Sequence, residues 1–162
     1  MRRRDREVTD MNEIMHILEE SKVVHVGLVD DGKPYIIPMN YGYVMEDGKL
    51  TIYVHGSLEG RKIDVVRKNS TCCVQMECDG QLFPGRLPCQ YGYSYYSLMG
   101  FGNAYIVDDV EEKMRALTVL MKSQTGDDFE FNEKLVSIVS VIKIECDEYT
   151  AKHRPLPEVI VK

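Results

Sequence analysis

Apolar residues recur at helical spacing from Thr9 to about Glu20, where Met11, Ile14, Met15 and Leu18 share a face and Asp10 with Glu13 resembles a capping arrangement. The pattern then turns β-rich. "KVVHVGLV" at Lys22 to Val29 predicts a strand, "DDGK" a hairpin turn, and "PYIIPMNYGYVM" at Pro34 to Met45 a long second strand. Pro38 cannot donate to a sheet ladder, so it predicts an edge position, a bulge or an interruption. A second Asp-Gly turn, "EDGK" at Glu46 to Lys49, leads into "LTIYVH", a third strand ending at His55; together the three read as a meander.

"LEGRKIDVVRKN" at Leu58 to Asn69 places Leu58, Ile63, Val65 and Val66 on one face of a short helix, with Gly60 weakening its first turn. "TCCVQMEC" returns to strand. Asp79 to Gln90 carries Gly80, Pro84, Gly85 and Pro88 and predicts a long loop. "YGYSYYSLMGFGNAYIV" follows as a tyrosine-dense strand. In "DDVEEKMRALTVLMKSQTG" acidic residues lead, Met114, Leu117, Leu120 and Met121 form a stripe, and Gly126 marks the stop. Leu135 to Cys146 predicts a last strand. Six turn-linked strands with few crossover helices favour an antiparallel sheet, and closure into a small barrel would hide its edges.

The length of 162 residues fits one domain with a core of its own, flanked by a flexible arm at residues 1–8 and a tail at 153–162. The formal charge of −6 argues against general nucleic-acid binding, which requires a basic surface. No apolar run approaches a membrane span of about 20 residues, and "MRRRDREVTD" is followed by an amphipathic pattern, so a cytoplasmic protein with no membrane partner is expected. Cys72, Cys73, Cys78, Cys89 and Cys146 are odd in number and contain no paired CxxC, which predicts reduced thiols and no metal site. His16 reads as a helix-surface residue, and His25 and His153 give no metal pattern with it.

Candidate chemistry concentrates in "YVHGSLEGRK" at Tyr53 to Lys62, where a strand hands over to a helix. A helix amino end offers unpaired amides and positive potential, which together suit an anion such as phosphate. Ser57 can cap that helix or donate to a phosphate oxygen; Arg61 can fork onto two oxygens and Lys62 adds a point charge. The competing reading is a solvated basic helix start, and the glycine spacing is not that of a P-loop. His55 suits proton transfer near neutral pH or is a packed strand residue. Tyr93 and Tyr95 favour packing, whereas for Tyr96 and Ser97 a pocket or interface role stands level with packing. Ile37, Pro38, Met39 and Asn40 offer backbone groups freed from regular pairing, which a planar heterocycle could use.

Taken together, "PYIIPMNYGY", "YVHGSLEGRKID", "YYSLMGFGNAYIVDDVEEKMRALTVLM" and the closing strand resemble the flavin-binding split-barrel superfamily that includes pyridoxamine 5'-phosphate oxidase, and more closely its 5-nitroimidazole-resistance (nitroimidazole reductase) branch. The resemblance runs from roughly Thr9 to Pro155. It implies a homodimer of six-stranded antiparallel Greek-key split barrels with FMN between subunits. Ser57, Arg61 and Lys62 would hold the FMN phosphate, and Ile37, Pro38, Met39 and Asn40 would run beside the ring. Tyr96 and Ser97 would approach the cofactor, and His55 corresponds to the active-site histidine of that branch. The ending "KHRPLPEVIVK" departs from the basic ending of pyridoxamine 5'-phosphate oxidases, so vitamin B6 oxidation is not expected.

The implied activity is an FMN-dependent oxidoreductase that passes electrons from NAD(P)H to a small electrophilic or nitroaromatic acceptor. No GxGxxG element follows a strand, so a nicotinamide would dock transiently over the flavin. The alternative is a sensor or storage module of the same fold that binds flavin or haem without turnover. Other branches bind haem or a deazaflavin, so fold alone does not fix the cofactor.

Overall fold

The computed structural model describes residues 3–157. A 3-10 turn at Arg4–Arg6 leads into β1 (Glu7–Val8) and α1 (Met11–Glu20). Asp10 caps α1, its Oδ1 accepting from the Asn12 amide at 2.7 Å, and Ile14, Ile17 and Leu18 are the buried face. Two hairpins follow, β2 (Val24–Asp30) with β3 (Lys33–Met39) and β4 (Tyr41–Glu46) with β5 (Lys49–Gly56). Each is closed by an Asp-Gly pair with both residues at positive φ, 49° and 80° at Asp31 and Gly32, 50° and 76° at Asp47 and Gly48. Those angles match the twist that a two-residue hairpin needs.

Next come α2 (Arg61–Lys68), β6 (Thr71–Phe83), a 3-10 turn at Pro88–Gln90, β7 (Gly92–Ile106), α3 (Val110–Thr125), α4 (Glu133–Val136) and β8 (Ser140–Arg154). Asp109 caps α3 through the Glu112 amide, and Gly126 at φ 81° ends it, the stop that the sequence marks. The hydrogen-bonded strand order is β3-β2-β6-β7-β8-β5-β4, with β1 paired to β8.

The structure corrects several expectations. There are eight strands among the described residues, not six, and their order is an open path, not a closed ring. The Pro34 to Met45 strand breaks at Asn40, whose Nδ2 donates to Lys22 O at 3.1 Å and Gln124 Oε1 at 3.3 Å; these tertiary partners hold the chain out of the ladder. The break also undoes the meander, because β3 and β4 lie at opposite ends of the strand order. Glu7 and Val8, assigned to the arm, pair with Lys152 and Ala151 as β1. The expected loop at Asp79 to Gln90 begins only after Phe83, and the last strand starts at Ser140 and continues to Arg154, with α4 in place of its predicted first residues. Of the expected arm, Arg4–Arg6 form a 3-10 turn, and of the expected tail, His153 and Arg154 belong to β8; positions 1–2 and 158–162 lie outside the described residues.

The chain divides into two compact units. Residues 3–21, 76–99 and 150–157 make up the described part of the first, whose buried apolar residues include Val8, Ile17, Leu18, Met76, Phe83, Leu98 and Ala151. The second comprises residues 22–75 and 100–149, with both hairpins and α2 to α4. In it, α3 packs on β4 and β5, and Val107, Ala116, Leu117, Val136 and Val141 form a core with Tyr53, Met114, Phe131 and Val139 at its margin. No helix among the described residues is long and apolar enough to cross a membrane.

Candidate functional site

The second unit holds the handover from β5 to α2. Gly60, not Ser57, occupies the cap position, with φ 130° and no side-chain cap. A φ that far into the positive range strains any residue with a Cβ. The amides of Ile63 and Asp64 bond back to Gly60 O at 2.9 and 3.1 Å, so the Arg61 and Lys62 amides are the outward-facing donors of the helix start. Ser57 Oγ donates its one proton to Glu59 O at 2.8 Å, shaping the loop ahead of the helix, so in this arrangement it neither caps α2 nor offers a donor to an anion.

Arg61 is oriented from two sides. Its Nε donates to Asp30 Oδ2 at 2.8 Å, and its Cζ lies 4.3 Å from the centroid of the Tyr35 ring. Asp30, with its side chain 19% exposed, is the better anchored partner; Arg61, at 58%, presents its terminal nitrogens to solvent. Neither Asp30 nor Tyr35 is signalled by the helix-start motif, and the Asp30 side chain reads in the sequence only as part of a turn.

Lys62 folds back over the strand end, its Cε and Nζ 2.6 Å from where a Gly56 Cβ would sit, with Met39 Cε at 4.0 Å from the same point. Gly56 is therefore the space in which Lys62 lies. His55 precedes it, paired with Val141 across β5 and β8 and exposed at the surface. Crowding by protein lowers its pKa below the usual 6.5, and the Lys62 charge lowers it further. At neutral pH its imidazole is therefore uncharged.

Ile37, Pro38 and Met39 lie on β3, which begins the strand order and among the described residues pairs only with β2, so Pro38 stands on an edge, one of the three places its missing donor allows. Met39, Gly56 and Lys62 converge, and Tyr35 of the same strand meets Arg61. Asn40 ends the strand with its amide engaged by Lys22 and Gln124.

Tyr96 and Ser97 belong to the first unit. The Tyr96 hydroxyl donates to Glu13 Oε1 at 3.0 Å, its ring stacks on His153 with centroids 3.7 Å apart, and His16 meets it edge-on at 5.4 Å. Burial, and then the Glu13 carboxylate, push the phenol pKa up to about 12. A groove of 220 Å³ is lined here by Asp79, Gln81, Ser94, Tyr96 and His153 among others. The Glu13, His16 and His153 partners of Tyr96 carry no local sequence signal.

The fold and this arrangement define a class: an antiparallel β-sheet protein in which a basic, glycine-capped helix start meets a proline-bearing edge strand. The family described as pyridoxamine 5'-phosphate oxidase matches residues 10–153, and the chain belongs to that family. Among solved structures, a proposed 5-nitroimidazole antibiotic resistance protein from Bacteroides thetaiotaomicron is 32% identical, with a TM-score of 0.77 over 91% of this chain and 86% of that one. Two others share the fold. A flavocytochrome from Azotobacter vinelandii is 20% identical with a TM-score of 0.77, covering 97% of this chain and 73% of its own. An FAD- and heme-binding protein from Mycobacterium smegmatis is 18% identical with a TM-score of 0.79, covering 95% and 76%. No curated protein matches the sequence.

Proposed function

We propose that the chain is an FMN-binding oxidoreductase of the split-barrel type that reduces a small electrophilic or nitroaromatic acceptor with electrons from NAD(P)H. The carrying observation is the α2 amino end: outward amides behind a bare glycine cap, an Arg61 fork held by Asp30 and Tyr35, and Lys62 lying over Gly56. That donor set fits a phosphate monoester, which takes charge-assisted hydrogen bonds from a helix start and a guanidinium together. The similarity to a proposed nitroimidazole resistance protein supports the choice of acceptor.

Bound FMN would supply the two-electron redox chemistry. The protein's part is to hold and surround it. Arg61 and Lys62 would anchor the phosphate, with Ser57 joining once its hydroxyl turns from Glu59 O to a phosphate oxygen, and the free backbone edge at Ile37, Pro38, Met39 and Asn40 would face the polar rim of the ring. Neutral His55 would donate an N–H hydrogen bond to the acceptor, a role that requires no charged imidazole at pH 7. On this reading the protein is a homodimer with its sites at the subunit interface, and Tyr96 and Ser97 contribute from the tyrosine-rich strand.

The test is the flavin content of purified protein, read from its visible absorption and from mass spectrometry of heat-released ligand. The wild type should carry FMN, and the Arg61→Ala, Lys62→Ala double variant should lose it while keeping its far-ultraviolet circular dichroism. Unchanged flavin content would remove the phosphate assignment. Tight flavin with no acceptor-dependent NAD(P)H oxidation would leave a binding protein.

A further inference from the structure

In the first unit α1 and β6 bring together three residues of different ligand type. His16 on α1 and Cys78 and Asp79 on β6 each place one ligand atom within 4.8 Å of the others. We propose that these three residues bind a single divalent transition metal ion, with zinc the favoured occupant. This inference is independent of the flavin assignment.

Adjacent residues of a strand normally point to opposite faces, so Cys78 and Asp79 should not share a ligand. Asp79 departs from the strand conformation at φ 55°. That left-handed turn breaks the alternation inside β6 and lets the carboxylate join the thiol's side, the kind of local redirection that bulges produce. Aspartate is among the few residues with a Cβ that tolerate it.

A metal fits once the cluster opens by about an ångström. With bond lengths of about 2.0–2.3 Å, the ligand atoms of a tetrahedral zinc site stand roughly 3.3–3.8 Å apart. His16 Nε2 and Asp79 Oδ2 are 2.6 Å apart, and their side chains are 43% and 49% exposed, so both have room to open around an ion. The T-shaped contact with Tyr96 and the Asp79 carboxylate together fix the imidazole plane.

A second observation points to the same place. Ser21, only 3% exposed, has a hydroxyl with no hydrogen-bond partner of normal geometry. It lies against the Cys78 thiol. A thiol is a poor acceptor for a buried hydroxyl, whereas a metal-bound thiolate is a strong one. Glu19 and Glu20 add negative potential at His16. An imidazole, a thiolate and a carboxylate suit zinc or cobalt over magnesium or calcium, and three protein ligands leave one position open. On binding, Cys78 gives its proton to solvent as the sulfur–metal bond forms.

The experiment uses tag-free full-length protein, treated with chelator and titrated with Co²⁺ alone, then with Zn²⁺ in competition. The expected result is one metal per chain and a sulfur-to-cobalt charge-transfer band that Zn²⁺ abolishes. Cys78→Ser should remove the band, and Cys89→Ser should keep it. Asp79→Asn, a change at an exposed carboxylate, should lower affinity by about 100-fold, and Ser21→Ala by about tenfold, the scale seen when partners of metal ligands are removed. Circular dichroism of each variant separates lost folding from lost binding. No charge-transfer band in the wild type, a band that survives Cys78→Ser, or wild-type affinity in Asp79→Asn would overturn the proposal and leave His16 and Asp79 as an ordinary ion pair.

Discussion

The amino end of α2 and the cluster around Tyr96 are both polar assemblies, yet they are written into the chain differently. His55, Gly56, Ser57, Gly60, Arg61 and Lys62 follow one another, and tertiary structure adds Asp30, Tyr35 and Met39. The second cluster has almost no contiguous part: Tyr96 and Glu13 are 83 positions apart, His16 and Asp79 are 63. The first depends on local conformation, a strand end and a glycine cap, and it leaves its basic groups facing solvent. The second depends on which strands and helix meet, and it turns its polar groups on one another. The α2 start keeps free donors ready for an anion, whereas in the metal-free second cluster the polar groups satisfy one another and contribute to stability until an ion displaces the His16–Asp79 contact.

The largest effect that would sharpen this contrast is on stability. Tyr96→Ala removes a half-buried ring stacked on His153, met by His16 and bonded to Glu13, and should cost about 2–3 kcal/mol, somewhat below the range for a fully buried aromatic. Arg61→Ala breaks a solvent-exposed pair and should cost under about 0.5 kcal/mol. Urea unfolding with unchanged m-values measures both. Equal midpoints for the two variants would dissolve the distinction.

The same contrast explains what was legible. The Asp-Gly hairpins, the Asp10 cap, the acidic start and Gly126 stop of α3, and the irregular place of Pro38, which the structure resolves as an edge, are local signals, and the structure carries each of them. The break at Asn40 was not legible, since Lys22 and Gln124 supply its partners from elsewhere in the chain. Nor was β1, which exists by pairing with Lys152 and Ala151. Glycine and proline content predicted a loop from Asp79, but Gly80 is accommodated within β6, and the chain leaves the strand only at Pro84. At the candidate site, the motif marked Arg61 and Lys62; what orients Arg61 came from a turn and a strand about 30 positions earlier.

Orientation of Arg61 gives a smaller, sharper test. Asp30→Ala leaves the positive charge in place and removes only the carboxylate that steers it. Losing a charge-assisted hydrogen bond at an exposed site should weaken flavin binding by about five- to tenfold, near 1 kcal/mol. Titration of flavin-depleted protein with FMN measures it. An unchanged affinity would show that the guanidinium needs no steering, and the α2 site would then be a motif of contiguous residues alone.

The smallest effects lie in the titration of two histidines, one in each region, and their signs are opposite. His16 pairs with the Asp79 carboxylate, which raises its pKa above 6.5; His55 loses hydration and faces Lys62, which lowers its own below 6.5. A raised histidine binds its proton more tightly in the folded state. In metal-free protein its contribution to stability is therefore full below pH 6.5 and disappears as pH rises through the folded value. The lowered histidine does the reverse: its contribution is present above pH 6.5 and is lost as pH falls through the folded value. Both side chains reach solvent, so each effect should be only a few tenths of a kcal/mol. The cleaner measurement is an NMR titration of the ring protons, with His16→Gln and His55→Gln to assign the two signals. A midpoint above 6.5 for His16 and below it for His55 would confirm that the cluster around Tyr96 satisfies charge internally and the α2 site keeps a neutral donor at its surface. A reversed order would mean that Asp79 does not hold His16 in solution and that His55 is charged near neutrality, and the division of labour between the two regions would fall with it.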